Sequence, residues 1–238
     1  MTRFTVGLVG AGPAAQAIHL PTLARHSDLF EVSAVMDIDP ALACAVAAPI
    51  GAFHTTSLEE LLARGGLDVV VIGSPNQFHA TQIEAACAAG VRAILAEKPL
   101  VNAHGEIDAV LRALTASGTQ LVVGAMHSYD PAWLAAQAAI EGAAGPWHVR
   151  CVCFIPGNER FEDAAATMVR PVEAASRSAD AGPHPPPPTP AELIRGGVLG
   201  LAIHNLPHAR VFVPELDGLL AARTVEPWGY TITAQGPA

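Results

Sequence analysis

The triplet Glu97-Lys98-Pro99 concentrates more chemistry than any other stretch of this 238-residue chain. It follows Arg92–Ala96, an apolar run that reads as a buried strand, so a glutamate and a lysine stand at the carboxyl end of an interior strand. Proline disfavours helical geometry in the residue before it, and the Lys98 ammonium is thereby aimed rather than mobile. The second concentration is Gly10-Ala11-Gly12-Pro13-Ala14-Ala15, set between the apolar run Phe4–Val9 and Ala-rich sequence. Strand, tight turn and helix in that order make a dinucleotide cradle. Gly10 lets the chain reverse, Gly12 puts no side chain between the backbone and a pyrophosphate, and the small Ala15 lets helix and strand pack closely. The phosphates would sit on the unpaired N–H groups of the helix start, so Gly10, Gly12, Pro13, Ala14 and Ala15 form the cofactor-binding turn.

Asp37 lies about 22 residues beyond Ala15, at the end of the loosely alternating run Glu31–Met36, where the adenosine ribose would lie. Its carboxylate can accept both ribose hydroxyls and would repel a 2′-phosphate, which favours NAD over NADP. The competing reading is that Asp37 or Asp39 only caps the helix that follows. Leu67–Ile72 is nearly continuously apolar, as a parallel strand covered on both faces must be, and it ends in Gly73-Ser74-Pro75-Asn76-Gln77-Phe78-His79. Doubly wound sheets bind ligands at that end of a strand. Ser74 and Asn76 are therefore assigned to the cofactor, and His79 either approaches it or caps the next helix.

The frame that must position these groups is an alternation of strand and helix from residue 4 to 124. Strands are predicted over Phe4–Val9, Glu31–Met36, Leu67–Ile72, Arg92–Ala96 and Gln120–Gly124. Helices are predicted over Ala14–His26, Ala80–Ala89 and Ala103–Ser117, with a start at Asp39-Pro40 and a short helix opened by the capping box Ser57-Leu58-Glu59-Glu60. Such alternation specifies an α/β fold with a doubly wound parallel sheet. Beyond residue 124 the texture changes. A helix is predicted at Ala132–Glu141, a strand at Trp147–Ile155, a Pro-rich connector near 157–190, renewed order at Ala191–Arg195 and Val198–Val213, and two strands at Gly218–Val225 and Tyr230–Ala234. The expected organisation is a domain at 1–124 followed by a smaller, incomplete α+β domain at 125–238 with an open sheet.

Composition narrows the classes. A hydrophobic content of 51% fills a sizeable core, and a formal charge of −9 without any Lys/Arg cluster excludes a nucleic-acid partner. The chain enters a strand directly after Met1-Thr2-Arg3 and holds no apolar run of membrane-spanning length, so a cytoplasmic protein with no membrane partner is expected. Cys44, Cys87, Cys151 and Cys153 lack metal spacing and read as reduced thiols, the last two on one face of the predicted strand where a disulfide is poorly shaped. His204 and His208 at i, i+4 lack an accompanying carboxylate or thiol and flank Pro207, so no metal is expected.

Assembled in order, these residues resemble the Gfo/Idh/MocA family of NAD(P)-dependent oxidoreductases. The matching pieces are Gly10-Ala11-Gly12 with His19-Leu20-Pro21, Asp37, Ser74-Pro75-Asn76 with His79, Glu97-Lys98-Pro99-Leu100, Tyr129-Asp130-Pro131, and Gly196-Gly197 with Ile203-His204. The resemblance implies a Rossmann domain followed by a domain whose open sheet carries a small-molecule substrate and mediates homo-oligomers. It implies that Lys98 lies near the nicotinamide and the reacting hydroxyl and that His204 is the general acid/base; Glu97, grouped with Lys98 among the cofactor-binding residues, orients Lys98 or the nicotinamide side rather than doing proton chemistry. The implied reaction moves a hydride between NAD and a secondary alcohol or ketone on a sugar-like, cyclitol or secondary-metabolite substrate. Such chemistry suits an imidazole that takes a proton beside an ammonium that stabilises an alkoxide. Two departures stand against this pattern. Gly200 occupies the position where the family commonly has aspartate, and a Pro-rich segment replaces ordered structure, leaving a second domain that is expected to be short of strands and either to borrow them from a partner subunit or to carry a degraded site. They keep two alternatives in play, a transient oxidation that serves elimination or epimerisation, and an NAD-binding partner subunit without dehydrogenase activity.

Overall fold

The computed structural model describes residues 3–143, 145–152, 164, 168–170, 188–225 and 229–237. Short apolar runs at Phe4–Val9 (β1), Phe30–Met36 (β2), Phe53–Thr55 (β3), Val69–Ile72 (β4), Ala93–Ala96 (β5) and Gln120–Val123 (β6) pair in parallel. They form one six-stranded sheet in the order β3-β2-β1-β4-β5-β6, the Rossmann arrangement. The three-residue β3 at the sheet edge has no counterpart in the sequence expectation.

Register decides what the sheet can present. Val9 of β1 stands opposite Met36 of β2 and Ile72 of β4, and Ile72 stands opposite Ala96 of β5. Four strands thus end level. The residues that follow them, Gly10, Asp37, Gly73 and Glu97, emerge side by side along one edge. At the other edge Asp68 accepts from the Thr5 amide and hydroxyl, each at 3.0 Å, and from Arg92 at 3.2 Å, pinning the amino ends of β1, β4 and β5. The Thr5 amide and hydroxyl, outweighing desolvation and joined by the Arg92 charge, hold the Asp68 carboxyl below its usual range.

Both sheet faces are sealed. Val6 and Leu8 of β1 pack with Ala15, Leu42 and Val46, beneath α1 (Leu20–Arg25) and α2 (Pro40–Ala47). On the other face Val70, Ile72 and Ile94 pack with Leu61 of α3 (Leu58–Ala63), Ile83 of α4 (His79–Ala88) and Val110 of α5 (His104–Ser117). The chain folds as two compact units, the first comprising residues up to Gly124 together with the described residues 164 and 168–170. The other described residues from 125 onward belong to the second unit.

The second unit holds α6 (Pro131–Ala139), capped by Asp130 on the Ala132 amide at 2.8 Å, then α7 (Pro190–Gly197), opened by a capping box of Thr189 and Glu192. A π turn at Val198–Ala202 leads into α8 (Ile203–Phe212), which contains Pro207. Gly218–Val225 (β7) and Gly229–Gln235 (β8) form an antiparallel hairpin. The strand predicted at Trp147–Ile155 is not formed at residues 147–152, where no partner ladder exists among the described residues, and a lone strand has nothing to satisfy its backbone. Residues 153–155, Cys153 and most of the Pro-rich connector lie outside the described residues.

Candidate functional site

Gly10 has φ +91°, and a Cβ placed there would meet the Ser74 amide nitrogen at 2.6 Å and the Gly73 carbonyl carbon at 2.8 Å. The β1 turn and the β4 loop therefore touch backbone to backbone, and only glycine allows both the contact and the conformation. Gly12 differs, since a Cβ there would meet nothing within 4 Å. Its Cα faces open space. Helical geometry follows at once, with the Gln16 amide donating to the Gly12 carbonyl at 3.1 Å, and passes through a π turn at Ala15–His19 before α1. Pro13 brings no N–H to the helix start, and Ala15 is fully buried against the sheet. Buried Gln16 donates to the carbonyls of Ala11 at 2.8 Å and Val169 at 2.9 Å, and accepts from the Val169 amide at 2.8 Å.

Asp37 accepts from the Ala11 amide at 2.8 Å through one oxygen and from the Asp39 amide at 3.0 Å through the other. Each carboxylate oxygen retains a lone pair for a hydroxyl donor. Capping of α2 falls to Asp39, which accepts from Ala41 and Leu42, so Asp37 is not the cap of that helix. In the β4 loop the Ser74 hydroxyl donates to Gln82 at 2.5 Å. His79 is 1% exposed, with Nδ1 2.9 Å from the Pro99 carbonyl oxygen and Nε2 2.8 Å from that of Ser74. The side chains of Ser74 and His79, both expected at the cofactor, are thus engaged inside the protein, and His79 does not cap α4, whose cap position is Phe78. Asn76 sits half-buried in a 3₁₀ turn, Asn76–Phe78, above the sheet edge.

Glu97 extends the ladder by donating its amide to the Ile72 carbonyl at 2.8 Å. Its side chain accepts from His19 Nε2 at 2.9 Å, the two side chains being 17% and 10% exposed. Its other oxygen accepts from the Lys98 amide at 3.3 Å. Burial opposes the Glu97 charge more than any single contact favours it, but the His19 bond and charge, with the Lys98 amide and ammonium, together prevail and hold the carboxyl below its usual range. Lys98 itself is half-buried and is the single lysine among the thirteen Lys and Arg residues of the chain.

In the second unit His204 begins near the start of α8, and its ring meets His127 edge-on at 5.1 Å. His208 lies against Trp133 at 4.2 Å and donates to the His127 carbonyl at 3.1 Å. Gly200 is exposed in the π turn before α8, and Tyr129 is largely exposed. Among the described residues no group of three His, Cys, Asp or Glu side chains is placed to hold a metal.

The first unit therefore gathers Gly10, Gly12, Asp37, Asn76, Glu97 and Lys98 on one edge. Sequence reading missed Gln16 and His19 as organisers of that edge. Their signal was two polar side chains three residues apart, both on the buried side of an Ala-rich helix.

Comparison with known proteins agrees with this geometry. Residues 4–125 match the Gfo/Idh/MocA family model, described as an oxidoreductase family with an NAD-binding Rossmann fold. The inositol 2-dehydrogenase 3 of Saccharopolyspora erythraea is 32% identical over 150 residues, 62% of this chain and 44% of that protein. Among solved structures, the WlbA dehydrogenase from Chromobacterium violaceum, in complex with NADH and UDP-GlcNAcA, is 28% identical with a TM-score of 0.54, covering 58% of this chain and 39% of that one. The 3-ketoreductase KijD10 from Actinomadura kijaniata, in complex with NADP and TDP-benzene, is 25% identical with a TM-score of 0.53, covering 59% and 42%. The chain spans less than half the length of the curated relatives it matches. No helix among the described residues is long and apolar enough to cross a membrane.

Proposed function

This chain belongs to the Gfo/Idh/MocA family of NAD-binding oxidoreductases, and from that premise we propose that it is an NAD-dependent oxidoreductase acting on a secondary alcohol or ketone. The observation that carries the proposal is the level sheet edge, which brings the glycine turn, Asp37 and the Glu97-Lys98 pair out side by side. The turn fits the cofactor because Gly12 leaves its surface open while Gly10 keeps the two loops in contact. Amides at Gly12, Ala14 and Ala15 receive the phosphates, and Asp37 accepts the ribose hydroxyls and disfavours a 2′-phosphate. When bound, NAD supplies the hydride acceptor or donor. Lys98 orients the substrate hydroxyl and stabilises alkoxide character, and His204 exchanges the proton.

The substrate class is a sugar-like, cyclitol or secondary-metabolite compound. Relatives named inositol 2-dehydrogenases, and a neighbour holding UDP-GlcNAcA, support it. Neighbours hold either NADH or NADP, so Asp37 is the residue that decides for this chain. The exposed hairpin, with Leu219 66% and Leu220 60% accessible, is the proposed self-association face of a homo-oligomer. One observation favours a second reading: Gly200 stands where the family commonly has aspartate. On that reading the chain is an NAD-binding partner subunit, or serves a transient oxidation without net turnover.

The test is titration with NADH and NADPH by fluorescence, followed by turnover on a polyol and keto-sugar panel. NADH should bind more tightly than NADPH, and Lys98→Ala should lower turnover about 10²- to 10³-fold while NADH still binds. NADH binding with no turnover, and no effect of Lys98→Ala in any assay, would discard the catalytic reading. Tighter NADPH binding would discard the role of Asp37.

A further inference from the structure

Lys98 is bracketed by two histidine ties, one on each chain neighbour. Before it, Glu97 accepts from His19 Nε2 at 2.9 Å and in turn accepts the Lys98 amide at 3.3 Å. After it, the carbonyl of buried Pro99 lies 2.9 Å from His79 Nδ1. The two histidines come from different crossovers. His19 closes the π turn that follows the phosphate-binding glycines, and His79 opens α4 after the β4 loop while its Nε2 reaches the Ser74 carbonyl at 2.8 Å. Both rings are buried, so neither bond is exchanged for water at low cost. Carbonyl oxygens only accept, and a neutral imidazole donates from one nitrogen alone. His79 therefore makes one of its bonds when neutral and both when doubly protonated.

We propose that His19 and His79 are positioning residues that aim Lys98: His19 through the Glu97 carboxylate, His79 through the Pro99 carbonyl. Neither touches substrate or cofactor. Their effect is to couple the glycine turn and the β4 loop to the residue between them, so that a ligand seated on the turn meets an ammonium whose backbone is already held on both sides. The role assigned to Lys98 rests on the oxidoreductase reading; the ties themselves do not.

The sequence supplies the probe. Because Lys98 is the single lysine, protein grown with [15N]lysine shows one lysine amide peak, and that peak is Lys98. His19→Gln places an amide nitrogen where imidazole Nε2 stood and should leave the peak near its wild-type position, whereas His19→Leu should displace it by several linewidths. At position 79 the donors separate: His79→Asn keeps a donor toward Pro99 and should hold the peak, while His79→Gln keeps one only toward Ser74 and should move it. Thermal unfolding of the same samples separates aim from stability, since a packing role would move the peak in step with Tm and not with the retained donor. Long-range proton–nitrogen spectra of wild-type rings need no variant and should find protons on His19 Nε2 and His79 Nδ1. The proposal is overturned if the peak stays in place in both His19→Leu and His79→Gln, if Asn and Gln at 79 move it equally, or if His79 Nδ1 carries no proton. Failure of NADH to move the wild-type peak would instead remove the cofactor reading and leave the ties standing.

Discussion

The first unit closes Leu8, Val70, Ile83 and Ile94 completely between sheet and helices, whereas no described residue of the second unit is fully buried. The contrast concerns what each can hold still. In the first, every group on the ligand edge leaves a strand whose neighbours on both sides are in register, Asp37, Gln16 and His79 take up loop backbone in further bonds, and His19 holds the Glu97 carboxylate. In the second, His204 sits among half-exposed neighbours on a helix that contains Pro207. Precision of placement follows sealed packing, so the chemistry assigned to Lys98 is better anchored than that assigned to His204.

The contrast is open to direct attack. Its largest consequence should appear in amide exchange: protection in β1, β4 and β5 should exceed that in the β7–β8 hairpin by about 10³-fold or more, and equal protection would abolish the distinction. Truncation comes next. Ile94→Ala should cost about 2–5 kcal/mol in denaturant unfolding, and Ile232→Ala, 40% exposed, less than about 1 kcal/mol. Comparable losses would mean that the hairpin is sealed by something outside the described residues.

Within the first unit the two glycines should part company. Gly10→Ala places a methyl against the Gly73-Ser74 backbone at positive φ and should cost about 1–3 kcal/mol or more. Gly12→Ala should unfold within about 1 kcal/mol of wild type, yet bind NADH more weakly because its methyl enters the open face. A folded Gly12→Ala protein with unchanged NADH affinity would remove the turn from the cofactor site.

The smallest effect is on the acid limb of stability. The Glu97 and Asp68 carboxyls are held below their usual range in the folded chain, so the folded form binds fewer protons than the unfolded form there. Their contribution is complete above the ordinary carboxylate range and is lost as pH falls through the lowered values. Melting temperature followed from about pH 6 to about pH 2 should fall less steeply for Glu97→Gln and Asp68→Asn than for wild type; an unchanged slope would mean those bonds do not form in solution.

Much of the first unit was legible because its signals are local. Buried parallel strands read as apolar runs, and the Gly10–Ala15 turn and the Ser57 cap each declare themselves within a few residues. β3 escaped because three residues at a sheet edge carry no period. The ties of His19 to Glu97 and His79 to Pro99 escaped for another reason: each joins residues brought together only by a crossover, 78 and 20 positions apart. The bond of the Ser74 hydroxyl to Gln82 escaped in the same way, since a loop's place at the sheet edge does not say which way its hydroxyl turns. The predicted strand at 147–155 shows the opposite failure, where β-rich composition was present but, among the described residues, no partner strand stands beside residues 147–152.

Gln16 holds a clock as well as a segment. Its amide takes both backbone groups of Val169 as a neighbouring strand would, across 153 positions of chain. During synthesis β6 is finished well before that residue exists. At roughly 5–20 residues per second the interval is several seconds, during which the sheet, its glycine turn and Lys98 can assemble while Gln16 still faces water. The ribosome thus delivers the sheet first and this stitch to Val169 later.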